Sequence, residues 1–251
     1  MADSYTLLAN IYPYLNSENY AELMTPRLIN FILQDGWLGR NIIDLGCGTG
    51  VSLQWLAKQG YVTQGFDASA SMLQKAEDRL QSAGIGSVNL KEADITQMTD
   101  LPHCDLALCL NVLNELSGLN EFQAVINNVY QMLGTDKYFV FDLWTIQGLF
   151  TSFNDGDQML VNNEKLAVFT QNEFDFERQI QNRTYTVFKL DKDVWKRYET
   201  PYVLRAYPIQ AIVSILKRMK FDVRHVLTTR LSPYIPEGQQ DSRVIFIAQK
   251  R

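Results

Sequence analysis

The chain has 251 residues, of which 46% are hydrophobic and 20% charged, the usage of a packed globular protein, so disorder, collagen-like repeats and coiled coil are excluded. Its net charge of −5, from 23 Lys and Arg against 28 Asp and Glu, argues against a partner held by phosphate neutralisation, and no nucleic acid is expected. There is no run of about 18 apolar residues and no Lys or Arg near the start beside Asp3 and Glu18, so no membrane association and no signal peptide are expected and the compartment reads as cytoplasmic.

At about 150 residues per domain the length corresponds to roughly 1.7 domains. Tyr5 to Gln34 carries helical patterning through Leu23, Leu28, Ile32 and Leu33. Asn41 to Leu45 is an apolar strand that runs into a glycine cluster, and the following helix, with Leu53, Leu56 and Ala57, can be capped by Gly60. Tyr61 to Phe66 alternates as a second strand. Ser69 can cap a helix bearing Met72, Leu73, Ala76 and Leu80, and Gly84 ends it before a strand over Ser87 to Lys91. Leu106 to Leu110 and Tyr138 to Leu143 read as buried strands on either side of a helix with Phe122, Val125, Ile126, Val129 and Met132.

Beyond Trp144 the pattern turns to alternation, at Leu166 to Phe169, Arg183 to Leu190 and Val194 to Leu204, with Asp191-Lys192-Asp193 as a hairpin turn. All glycines but Gly238 lie between Gly36 and Gly156, so the two halves use different turns. Helical period returns from Ile209 to Met219 behind Pro208, and strands follow at Val223 to Leu231 and Arg243 to Ala248. The expected fold is a doubly wound α/β architecture, a mostly parallel Rossmann-like sheet with helices on both faces. An antiparallel β insertion precedes the last helix and strands. Residues 1–150 and 206–251 would form one domain, and 151–205 an inserted lid.

The segment Asp44-Leu45-Gly46-Cys47-Gly48-Thr49-Gly50 sits where a strand turns into a helix, where glycines let a ligand approach bare amides. A dinucleotide fingerprint fails on spacing, since Val51 or Leu53 occupies the third glycine position, and no Gly-Lys-Ser/Thr completes a phosphate loop. Asp67 and Asp94 end the second and third strands. In open α/β sheets such strand ends share one crevice, and a carboxylate there can accept from both hydroxyls of a ribose. Asp44, inside the strand, reads as a support for the loop that bonds its amides. Cys47 reads as a small packed residue, because no histidine lies near it. With Cys47, Cys104 and Cys109 in no CxxC pair, and only His103 and His225 beside them, no metal site is expected.

These motifs resemble the class I S-adenosylmethionine-dependent methyltransferases, over roughly residues 5 to 145. The likeness rests on Ile42 to Gly50, on Gly65-Phe66-Asp67-Ala68-Ser69 with Met72, on Glu92-Ala93-Asp94-Ile95, and on Asp105 to Asn111. It implies S-adenosyl-L-methionine as cofactor. Gly46, Cys47, Gly48 and Gly50 would lie against its methionine part, Asp67 with Ala68 and Met72 around the ribose, Asp94 and the Ile95 amide at the adenine, and Leu110 and Asn111 beside the methyl group. Tyr12 and Tyr20 match aromatic positions that cover the cofactor in similar proteins. The insertion resembles the antiparallel lid of the glycine N-methyltransferase-like group, in which Arg205 and Tyr207 match positions facing the substrate; Trp144, ending the fifth strand, fits either core or substrate wall.

The function expected is methyl transfer to an N, O or carboxylate acceptor on a small molecule. The candidates for catalytic roles are Tyr12, Asn111, Arg205 and Tyr207, and for the acceptor pocket Tyr12, Trp144, Arg205 and Tyr207. Two alternatives stand beside it: methylation of a protein or RNA docked on the lid, and a regulatory protein that holds the cofactor without turnover. The fourth strand ends Leu110-Asn111-Val112-Leu113, not in the Asn/Asp-Pro-Pro-aromatic motif of enzymes that methylate amino groups of adenine or glutamine. Neither oligomeric state nor acceptor is fixed by these residues.

Overall fold

The computed structural model describes residues 2–15, 17–153, 156–236 and 241–251. In chain order it has α1 (Ala2–Ile11), a 3-10 turn (Tyr12–Tyr14), α2 (Asn19–Gln34), β1 (Asn41–Leu45), α3 (Val51–Lys58), β2 (Val62–Asp67), α4 (Ala70–Ser82), β3 (Asn89–Glu92) and β4 (Cys104–Cys109). A 3-10 turn (Leu113–Glu115), α5 (Leu119–Met132), β5 (Leu133–Trp144) and α6 (Ile146–Phe153) follow. Then come β6 (Gln158–Asn162), β7 (Leu166–Asp175), β8 (Ile180–Asp191), β9 (Val194–Arg205), α7 (Ile209–Arg218), β10 (Phe221–Thr228) and β11 (Arg243–Lys250).

The main sheet has the order β10-β11-β5-β4-β1-β2-β3. β1 to β5 pair in parallel, and β11 runs antiparallel to both β5 and β10. The central strands read as unbroken apolar runs because both of their faces are covered. On one face Phe122, Val125, Ile126 and Val129 of α5 and Ile212, Ile215 and Leu216 of α7 bury Leu45, Phe139, Phe141 and Phe246. On the other, Met24, Leu28, Ile29 and Ile32 of α2 bury Ile42, Leu106, Val140, Ile245 and Ile247. This is the doubly wound, mostly parallel arrangement that the alternation of strands and helices requires. The strand ends of β1, β2 and β4 therefore open onto a common edge. Among the described residues no helix is long and apolar enough to cross a membrane.

A second, antiparallel sheet of order β6-β7-β8-β9 lies in the chain between α6 and α7. It is longer than the sequence pattern indicates. β7 continues to Asp175, and β6 and α6 are additional elements of only five and eight residues. The strand read as far as Leu231 stops at Thr228. There a turn closes through Leu231 N to Thr228 O (2.9 Å), with Leu231 at φ 62. The hairpin turn falls where expected: Asp191 pairs with Val194, and Lys192 and Asp193 both take positive φ, 45 and 66, the two-residue turn that matches strand twist.

Neither Lys nor Asp adopts that conformation as easily as Asn-Gly. Replacing Lys192-Asp193 by Asn-Gly is expected to stabilise the protein by about 1 kcal/mol, read as a raised midpoint in urea unfolding.

Candidate active site

The glycine loop is held by β2. Gly46 N and Cys47 N both donate to Phe66 O (2.7 and 2.9 Å), and Gly48 N donates to Asp67 Oδ2 (2.8 Å). The other Asp67 oxygen accepts from Ser69 N (2.9 Å), while the Ser69 hydroxyl caps α4 at Met72 N (3.3 Å). One carboxylate thus joins the loop to the start of a helix, although burial pushes its pKa up against those two bonds. Gly46, at φ 71, has no room for a Cβ beside Val112, and Gly50, at φ 78, packs on Ala76. Gly48, at φ 52, has nothing within 4 Å of a Cβ position, so its bare face is open.

That open face belongs to a small cavity of about 40 Å³, whose walls include Tyr12, Glu18, Asp44, Gly46, Cys47, Gly48, Leu110 and Asn111. The sequence-predicted Tyr12, Gly46, Cys47, Gly48, Leu110 and Asn111 are therefore together. Cys47 is buried against Gly65, as a packed residue. Asp44 does not bond the loop amides; Phe66 O and Asp67 do that. Its carboxyl lines the cavity with no hydrogen bond among the described residues, and burial together with the Asp67 charge pushes it up to about 7.

Asn111 sits at φ 64, outside the usual range for a non-glycine residue. Asp142 Oδ1 accepts from its backbone N (2.6 Å), and its side-chain Oδ1 accepts from Arg243 Nη2 (2.7 Å). Arg243 also pairs with Asp142, and the pair is almost fully enclosed. The guanidinium lies between the Tyr20 ring (4.1 Å) and the Trp144 ring (3.8 Å), so both expected aromatics reach Asn111 through it. On the opposite wall, Glu18 accepts from the Thr49 hydroxyl and from Arg79 Nη2 (2.6 Å), while Arg79 Nε donates to Thr49 O (2.9 Å). This ties the segment before α2 to the glycine loop.

Several predicted residues lie elsewhere. Asp94 caps its own turn, its Oδ1 accepting from Thr96 N (2.8 Å) and the Thr96 hydroxyl (2.7 Å). Ile95 is buried, its carbonyl accepting from Asn128, and Ala68 is exposed. Neither Asp94 nor Ala68 lines the cavity. Met72 is buried among Leu8, Ala9 and Ile11 of α1 and Val168 and Val187 of the second sheet, so it supports α1. Tyr207 does not reach the site: its hydroxyl donates to Leu116 O (2.7 Å) and its ring meets Phe122 at 5.3 Å in the core. Arg205 does not reach it either, because β9 carries it to the far end of the β7–β8 hairpin, where Nη1 donates to Arg178 O (3.4 Å).

A second cavity, of about 30 Å³, adjoins Tyr12 and Asn111 and is walled further by Tyr5, Leu8, Leu15, Tyr185 and Tyr202. The hydroxyls of Tyr5 and Tyr202 (2.9 Å) both donate to Glu115, whose carboxyl burial pushes up to about 7. Sequence reasoning missed this group. Its one signal was a carboxylate between the apolar Leu113 and Leu116, one turn beyond the end of β4.

The geometry is that of an α/β domain with a glycine loop and acidic strand ends at one sheet edge. The comparisons agree. Residues 42–136 match the family model described as a methyltransferase domain. The protein named "Putative methyltransferase YqeM" of Bacillus subtilis is 24% identical over 83% of this chain and 83% of its own length. A solved S-adenosylmethionine-dependent methyltransferase from Clostridium acetobutylicum superposes with a TM-score of 0.82 at 20% identity, covering 98% of both chains. CalS10 of Micromonospora echinaspora, an amino pentose methyltransferase solved with S-adenosylmethionine bound, gives 0.68 at 16% identity over 92% of both. Residues 42–136 are thus a methyltransferase domain, within a chain that has the class I S-adenosylmethionine-dependent methyltransferase fold from end to end.

The residues present fit S-adenosyl-L-methionine: Gly48 offers a bare backbone face, and the Asp44 carboxyl faces the cavity with its hydrogen-bonding capacity free for a cation. Two predictions follow from the buried charges. Asp142→Ala strands Arg243 without its counter-charge and is expected to cost about 3–5 kcal/mol in urea unfolding. Asp44 has a folded pKa above its unfolded one, so its ionisation destabilises the protein as pH rises from about 4 through 7. Asp44→Asn should therefore raise the melting temperature most at pH 8, less near pH 5 and almost not at all below pH 4, a graded difference that thermal unfolding across these pH values reads directly.

Proposed function

We propose that the chain transfers the methyl group of S-adenosyl-L-methionine to a small-molecule acceptor. The observation that carries this reading is a pair of adjoining cavities sharing Tyr12 and Asn111, one against the glycine loop and one beneath the second sheet. The first suits the donor. Gly46, Cys47 and Gly48 would lie along its methionine part, and Asp44 would face the ammonium group. Each Asp67 oxygen uses one acceptor site on a backbone amide and keeps another for a ribose hydroxyl. Gly50 acts through packing, and Leu110, Asn111 and Tyr20 would border the sulfonium.

Methyl transfer from a sulfonium is an in-line displacement, so the protein must align an acceptor lone pair with the S–CH3 bond and exclude water. Asn111 is fixed where the two cavities meet. The second cavity is walled by aromatic rings. Residues 151–205 would serve as the lid inserted into a donor-binding domain of residues 1–150 and 206–251, with Tyr185 and Tyr202 as the parts that reach the acceptor. That the similar CalS10 is an amino pentose methyltransferase supports a small acceptor.

Calorimetry with S-adenosylmethionine or S-adenosylhomocysteine is expected to show binding, and NAD none. Asp67→Ala should weaken that binding about tenfold or more through loss of charge-assisted bonds, with circular dichroism confirming the fold. Unchanged affinity would overturn the ribose assignment, and the absence of adenosylhomocysteine release across amines, phenols and carboxylic acids would overturn the enzymatic reading.

A further inference from the structure

The second cavity has an unusual wall. Four phenol rings, Tyr5 and Tyr12 from the N-terminal segment and Tyr185 and Tyr202 from the second sheet, surround a small space of about 30 Å³. Among the described residues no lysine or arginine lines it. Behind two of these rings stands Glu115, which accepts from the hydroxyls of Tyr5 and Tyr202. Each of its oxygens makes one of these bonds, which leaves further lone-pair sites on a carboxylate. Aromatic faces with a carboxylate behind them form a cation site: the ring quadrupoles attract positive charge, and the attraction grows as water is excluded. A neutral phenol or an anionic carboxylate acceptor would instead meet Glu115 with nothing to neutralise it.

We propose that this cavity receives the methyl acceptor as an ammonium ion, so that the substrate is a small aliphatic amine and Glu115 both holds its charge and takes its proton. The inference rests on the methyl-transfer reading above and names the acceptor class for that site. The ammonium gives one proton to the hydroxyl oxygen of Tyr5 or Tyr202, whose own proton passes to the Glu115 carboxylate and makes it a neutral acid, and the freed nitrogen lone pair attacks the sulfonium methyl. The C–N bond forms while the C–S bond breaks, and its electron pair stays on sulfur as a neutral thioether. The product leaves as a methylated ammonium, and Glu115 returns its proton to water. A tertiary amine has the same route, and its quaternary product fits a site made of ring faces.

The groups facing Glu115 are Tyr5, Tyr12, Tyr185 and Tyr202, with Asp67 across the glycine loop and Arg183, whose Nη1 donates to the Tyr185 hydroxyl (3.2 Å). Burial holds the Tyr5, Tyr12 and Tyr202 phenols protonated well past neutrality. Glu115, pushed up to about 7 by burial, is the group among them that changes charge near neutral pH. It holds a cation above that pH and loses the ability below it.

The test uses the full chain saturated with S-adenosylhomocysteine and two calorimetric probes of nearly equal shape, choline and its neutral carbon isostere 3,3-dimethylbutan-1-ol. Choline carries no titrating proton. It is expected to bind about tenfold or more tighter than the isostere. Its affinity should rise between about pH 6 and 8 and lose that dependence in Glu115→Gln. The wild-type comparison stands whether or not that variant folds. Equal affinity for both probes, or no choline binding while S-adenosylhomocysteine is bound, overturns the amine site and leaves the donor site intact. Failure of S-adenosylhomocysteine itself to bind overturns the underlying methyltransferase reading instead.

Discussion

The geometry of the site depends on one buried carboxylate. Asp142, near the end of β5, accepts from the backbone N–H of Asn111 at the end of β4 and pairs with Arg243 at the start of β11. Those bonds hold Asn111 at a positive φ, a conformation that Asn adopts more readily than most residues other than glycine. The same arginine stacks between Tyr20 and Trp144 and reaches back to the Asn111 amide oxygen. Three strands, α2 and the junction of two cavities are thereby fixed by a single ion pair. An isolated charge of either sign at that depth would be expensive, so removing one partner does more harm than replacing both.

The glycine loop follows the same logic with less charge. Its amides are taken up by the Phe66 carbonyl and by Asp67, so the loop is shaped by β2 and not by the strand that leads into it. Asp44 is freed from that duty and left beside the cavity as a carboxyl that prefers to be neutral. A protein stabilised only for folding would carry an amide there. The retained acid is a local cost that a bound cation offsets, which is the usual relation between a strained site and the scaffold that supports it.

The mostly parallel sheet, its helices on both faces and the loop were legible because each leaves a local mark: unbroken apolar strands, helices of period 3.6, glycines at a strand-to-helix turn. The Lys192-Asp193 turn was legible for the same reason. Arg243 and Asp142 were not, since their pairing spans the distance between β5 and β11 and neither has a local signature. Glu115 gains its meaning from Tyr5, Tyr185 and Tyr202, which come from opposite ends of the chain. Arg205 and Tyr207 were placed at the substrate by resemblance to lid positions of similar proteins, whereas here the Arg205 side chain reaches Arg178 O at the β7–β8 turn and the Tyr207 hydroxyl bonds Leu116 O in the core.

The two carboxyls held near 7, Asp44 and Glu115, stand on opposite sides of Tyr12, one for each cavity. On the reading proposed above, methyl transfer moves a positive charge across that boundary, from the sulfonium to the acceptor nitrogen. In water the shift would require the solvent on both sides to reorganise. In place of water the protein offers fixed ring faces on the acceptor side, which attract the charge as it arrives while the protonated Glu115 stays neutral, and preorganised groups of this kind lower a barrier without a penalty at the moment of reaction. The charge that leaves the donor side also weakens the hold on the spent thioether there. Both effects depend on Asn111 staying at the junction, and therefore on Asp142 and Arg243.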